Sequence, residues 1–125
     1  MPRGRTPPAG LMTARRHPAG HLEGRAIRGS GRRGAVLASF FQSDVQGDLD
    51  GARALLAEIG AVERGEAPRP AAIGNAYAVT VSPAGVQLRN AVIEGSLPEH
   101  YRFDELRQAL GTWIAAIERA RRDAG

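Results

Sequence analysis

The chain contains no cysteine, which excludes a disulfide framework, thiolate ligation and thiol nucleophiles. It contains no lysine either, so all 17 of its basic side chains are guanidinium groups. Aromatic residues make up only 5% of the sequence, with a single Trp, so a base-stacking surface has little to be built from. No apolar run approaches the ~18 residues of a membrane-spanning helix. The first residues carry the positive charge of a signal peptide without its apolar centre. The expectation from these absences is a cytoplasmic bacterial protein with no membrane association.

What is present is unevenly distributed. The net charge of +4 and pI near 10.9 point at first to a nucleic-acid partner. Arginine without lysine, together with heavy Ala, Gly and Pro use, fits a GC-rich genome better than selection for phosphate binding. Residues 1–34 hold eight Arg against one Glu, a net +7, whereas residues 35–125 hold nine Arg against twelve acids, a net −3. The basic character thus belongs to the N-terminal stretch, and the remainder is mildly acidic.

Residues 1–34 have few large apolar side chains and recurrent Pro and Gly, so they are expected to form a disordered basic tail. Three roles compete for it: a dispensable extension or upstream start, an Arg-rich arm contacting nucleic acid, or a targeting segment. The arm would use its densest pairs, Arg15, Arg16, Arg32 and Arg33. The remainder, 35–125, reads as one α+β domain. AVLASFFQ (35–42) is apolar on both faces of an extended chain and reads as a buried strand. A helix then starts near Asp48 or Asp50, either able to cap it, and stops at Gly65. It carries Leu49, Ala52, Leu56 and Ile59 on one stripe.

From Asn75 the apolar period changes from 3.6 to 2. Tyr77, Val79 and Val81 alternate with small or polar residues, Ser82-Pro83-Ala84-Gly85 suits a type I turn, and Val86 and Leu88 resume the alternation as far as about Ile93. This predicts an antiparallel hairpin. The last stretch, Tyr101–Arg122, places Leu106, Leu110, Trp113, Ile114 and Ile117 on one helical face, with Asp104 as the expected N-cap. Truncating a buried Trp costs ~3–5 kcal/mol, against a total stability of ~5–15 kcal/mol, so Trp113→Ala is expected to unfold most of the protein. The predicted architecture is a small antiparallel sheet, the hairpin plus one further strand, covered by two helices.

Few residues carry chemistry. His17 and His21 have a helical metal spacing, but Pro18 and Gly20 deny them a helix, and no metal site is expected. Asp44, Asp48 and Asp50 resemble a calcium loop only in their first positions, and helix capping accounts for them. Gly29, Gly31 and Gly34 lack the strand and the Lys-Ser/Thr of a phosphate loop. No nucleophile has its context, so neither an enzyme nor a cofactor is expected. Phe40, Phe41, Tyr77 and Tyr101 are expected in the core. The acids Asp44, Asp48, Asp50, Glu63 and Glu66 remain as a rim able to face a basic partner.

Ala54–Glu66, Gly74–Asn90 and Tyr101–Glu118 form a Leu/Ala-rich helix, a hairpin and a Trp-bearing final helix. In this order they resemble small bacterial proteins of the YacL-like family and related CdiI-type immunity proteins. The resemblance implies binding to another protein, a toxin neutralised by occlusion, with no catalytic residue. Where such a toxin is a basic nuclease, an acidic inhibitor is steered onto it electrostatically. The expected function is therefore protein binding as an immunity factor, the alternative being nucleic-acid binding by the N-terminal arm.

Overall fold

A computed structural model describes residues 10–66 and 76–124 of the chain. The first strands, β1 (Met12–Arg16) and β2 (Leu22–Ala26), form a two-stranded antiparallel sheet. Helix α1 (Gly31–Phe40) runs directly into a single π-helical turn, Phe41–Val45. Helix α2 (Leu49–Glu63) follows. Strands β3 (Tyr77–Ser82), β4 (Gly85–Asn90) and β5 (Glu99–Tyr101) form a second antiparallel sheet in the order β3-β4-β5, and α3 (Phe103–Ala124) closes the chain. The fold is α+β, with two small sheets and three helices.

The periodic segments form the elements their patterns predict. Asp48 caps α2, accepting from the Gly51 amide at 2.9 Å. Gly65 ends it with φ +91°, its amide bonded to the Val62 carbonyl and that of Glu66 to Ala61. That pair of bonds is a Schellman closure and needs a residue free of the Cβ penalty. In α3 the buried residues are Leu106, Ala109, Leu110, Trp113 and Ile117. Asp104 lies inside the first turn rather than capping it. Glu105 bonds back to the Arg102 amide at 2.8 Å, half of a capping box. In the second sheet, Ser82 pairs with Gly85 around Pro83-Ala84, and Val81 with Val86.

Two expectations are corrected. AVLASFFQ is helical: it belongs to α1 and the π turn, where Leu37, Phe40 and Phe41 recur at i, i+3 and i+4 and are fully buried. The strand completing the hairpin's sheet is instead β5, with Tyr101 opposite Val86. The segment expected to be a disordered tail carries β1, β2 and the start of α1 within its described part, 10–34; residues 1–9 lie outside the described residues. Residues 67–75, which include Pro68, Pro70 and the expected start of the hairpin at Asn75, also lie outside the described residues. The β1–β2 hairpin turns Met12, Ala14, Leu22 and Gly24 inward, with β1 against α3 and β2 against α1. Ala14 and Gly24 are the small side chains of that face, and at Gly24 the strand approaches the α1 backbone closely.

One core unites these layers. Trp113 is fully buried, tilted against Phe41 at 5.5 Å between ring centres. Phe40 meets Phe41 and Tyr77 edge-on at 5.3 and 6.0 Å. The four aromatics expected inside, Phe40, Phe41, Tyr77 and Tyr101, are all buried. Among the described residues no polar or charged residue is buried, and no helix is long and apolar enough to cross a membrane.

Candidate functional site

The connection from β4 to β5 carries the apolar side chains that the fold leaves outside. Val92, Ile93 and Leu97 are 72%, 59% and 72% exposed, the large hydrophobic residues left exposed among those described. The loop is nonetheless built. The Asn90 carboxamide oxygen accepts from the amides of Val92 and Ile93 at 2.9 and 3.1 Å, turning the chain out of β4. The Ser96 amide returns to the Ile93 carbonyl at 3.2 Å. At the other end Arg32, from the first turn of α1, donates to the Leu97 carbonyl at 2.9 Å and pairs with the Glu99 carboxylate. Gly95 supplies a positive φ of 78° at the tip. Beside the loop lies an open cleft of about 470 Å³, with Val36, Tyr77, Leu88, Ile93 and Leu97 in its wall.

The base of the same region is pinned by Arg33. Its guanidinium donates twice to the Glu105 carboxylate, at 2.6 and 3.1 Å, and twice to the His100 carbonyl, while lying 5.0 Å over the Tyr101 ring. The Tyr101 hydroxyl donates to the Arg33 carbonyl at 2.7 Å. Burial pushes the Tyr101 phenol well above its ordinary value, so it acts only as a neutral donor. Burial also pushes the Glu105 carboxyl up, but the bonds from Arg33 and the Arg102 amide outweigh it and hold the group below its ordinary value. Helix α1, β5 and α3 are thereby locked together beneath the apolar loop.

The five acids expected at a basic partner are dispersed over separate duties. The Asp44 carboxylate accepts from the amides of Ala76 and Tyr77, at 3.1 and 2.9 Å, and so anchors the start of β3. Asp48 caps α2, and Asp50 stands exposed in its first turn. Glu63 pairs with Arg107 across to α3, and Glu66 with Arg64 at 3.2 Å. The four arginines expected at nucleic acid are likewise matched within the chain. Arg15 faces Glu23 and Arg16 faces Asp123, each at 3.8 Å, while Arg32 and Arg33 hold Glu99 and Glu105.

A second cluster has a spacing that suits a helix, which Pro18 and Gly20 do not allow. His17 and His21 flank the turn between β1 and β2, where the His17 amide donates to the His21 carbonyl at 2.7 Å and the Gly20 amide to the His17 carbonyl at 2.8 Å. A tight hairpin brings residues four apart together as surely as a helix does. The two imidazoles stack with centres 4.4 Å apart, and Glu23 lies on the same face of β2. The apolar loop is hidden for a different reason: Val92 keeps the phase of Val86 and Leu88 and Ile93 adjoins it, so the strand reads on to about Ile93, and only the Asn90 turn ends it. Comparison of the chain with family models, with curated proteins and with solved structures finds no match.

Proposed function

We propose that this protein is a binding module that docks another protein through the β4–β5 loop, with Val92, Ile93 and Leu97 as its apolar anchors. The observation that carries the reading is the exposure of three large apolar side chains on a loop fixed at both ends. Burying a side chain of this type contributes ~1.5–3 kcal/mol, and a pre-ordered loop loses little entropy on association. The surroundings have the anatomy of a protein interface: an apolar centre rimmed by Arg32, Glu94 and Glu99, with both signs of charge. The narrower reading, an immunity protein occluding a basic toxin, is supported by the family resemblance alone, because the fold takes in residues 10–34 and residues 10–125 hold fifteen Arg against thirteen acids, a net +2.

The test compares the wild-type chain with a Val92→Ser, Ile93→Ser, Leu97→Ser variant as baits in a nuclease-treated native lysate. All three side chains are exposed, so circular dichroism and thermal midpoint should match between the baits. A protein captured stoichiometrically by the wild type and lost by the variant supports the reading. Equal capture by both baits removes the loop from it. Light scattering on the purified chain separates the remaining case: a dimer dissolved by the same substitutions would make the loop a self-association surface instead.

A further inference from the structure

We propose that the tip of the β1–β2 hairpin binds a divalent transition-metal ion through His17, His21 and Glu23. The pairing register dictates the grouping. Arg16 opposes Leu22, with both pointing to the inner side with Ala14 and Gly24, so Arg15, His17, His21 and Glu23 share the outer face. One donor atom from each of His17, His21 and Glu23 lies within 4.8 Å of the other two. An ion with donors at ~2.0–2.1 Å in tetrahedral array sets them ~3.3 Å apart, a closure within reach of side-chain rotation at an exposed turn. Two imidazoles and a carboxylate suit Zn²⁺ and its first-row neighbours rather than Mg²⁺ or Ca²⁺, which take oxygen ligands.

Two local interactions must yield. The His17 Nδ1 accepts from the Ala19 amide at 2.9 Å, so loading Nε2 moves the ring proton to Nδ1 and gives up that bond. Glu23 also faces Arg15 at 3.8 Å, and that guanidinium competes with the cation for the carboxylate. Three protein donors leave a coordination position open. On its other side His21 borders a cleft of about 540 Å³ that also contains Gln42, Gln46 and Arg121.

The experiment titrates Zn²⁺ alone into the full chain, prepared without a polyhistidine tag, by calorimetry. The expected result is uptake of one ion per chain, with His17→Ala and His21→Ala each weakening binding about tenfold or more and Glu23→Gln weakening it less. Arg15→Gln should tighten it severalfold by releasing Glu23, an effect a merely structural arginine would not produce. His100→Ala, at the third histidine, should leave it unchanged. Wild-type affinity in both histidine variants, an equal loss in His100→Ala, or no uptake up to about 1 mM Zn²⁺ would each overturn the site. Both histidines are at least partly exposed, so unchanged circular dichroism confirms that the variants report on binding rather than folding.

Discussion

The indole Nε1 of Trp113 donates to the Gln46 carbonyl at 2.6 Å, which ties the middle of α3 to the residue that ends the π turn. Gln46 has φ 50° and ψ −133°, the non-glycine residue with positive φ among those described. The Asp48 amide bonds to the Val45 carbonyl at 3.0 Å, so Gln46 and Gly47 are the two central residues of a tight turn. Those angles are close to the first central position of a type II′ turn, where glycine is preferred. In this chain the glycine stands one place later.

Gln46→Gly should therefore stabilise the protein. Relief of the strained conformation is worth ~1–3 kcal/mol, offset by ~0.5–1 kcal/mol of added chain entropy and by an exposed bond from the Gln46 side chain to the Ser43 carbonyl. The net expectation is a gain of about 1 kcal/mol, read from the urea midpoint at constant slope. Gln46→Val should go the other way, because a β-branched residue tolerates positive φ poorly. A glycine variant that unfolds earlier than the wild type would show that no strain is held there.

Acid should act on the protein partly through Glu105. Its folded titration lies below the ordinary value of 4.5, so the unfolded chain takes up the proton more readily. The stability this contributes is present above pH 4.5 and is lost as the pH falls through the lower, folded value. Glu105→Gln should cost about 1–2 kcal/mol at neutral pH, toward the low end because Arg33 is 39% exposed. It should also flatten the decline of the thermal midpoint below pH 4.5. Parallel pH profiles for the two proteins would remove Glu105 from the acid response.

Gly24 marks the closest approach of the hairpin to α1. A Cβ added there would stand 2.5 Å from the Ala38 carbonyl oxygen, and the Gly24 amide donates to the Gln42 side chain at 3.0 Å. Gly24→Ala should force β2 off the helix at a cost of ~1–3 kcal/mol. Hydrogen exchange should show the damage first in the β1–β2 amides, with α2 and β3–β4 retaining protection. Uniform loss of protection, or none, would mean that the contact does not control the docking of the hairpin.

The elements that announced themselves in the sequence bury one face against a core and expose the other. Helix α3, helix α2 and the β3–β4 hairpin do this, and their apolar spacing mirrors their geometry. Helix α1 resembles a strand in the sequence because a stretch of eight residues, six of them apolar, is too short to separate period 2 from period 3.6. The glycines at 31 and 34 also hid its first turn. The β1–β2 hairpin resembles disorder in the sequence because its inner face needs only Met12, two small residues and Leu22 to meet α1 and α3. The acids were legible as caps at Asp48, but the long-range duties of Asp44 and Glu63 depend on partners 32 and more residues away. No local pattern records such distances, nor that Val92 and Ile93 would leave the strand.

The docking of the N-terminal hairpin onto the C-terminal helix sets a schedule for synthesis. Strand β1 leaves the ribosome before any other described element, yet one of the surfaces it covers is made last. At ~5–20 residues per second, translation from the end of β2 to the start of α3 takes on the order of several seconds. Throughout that interval Met12 and Leu22 lack the partner that completes their burial. Until α3 has emerged the nascent protein must carry its first hairpin as a loose flap, and only the arrival of that helix lets the flap seal the core.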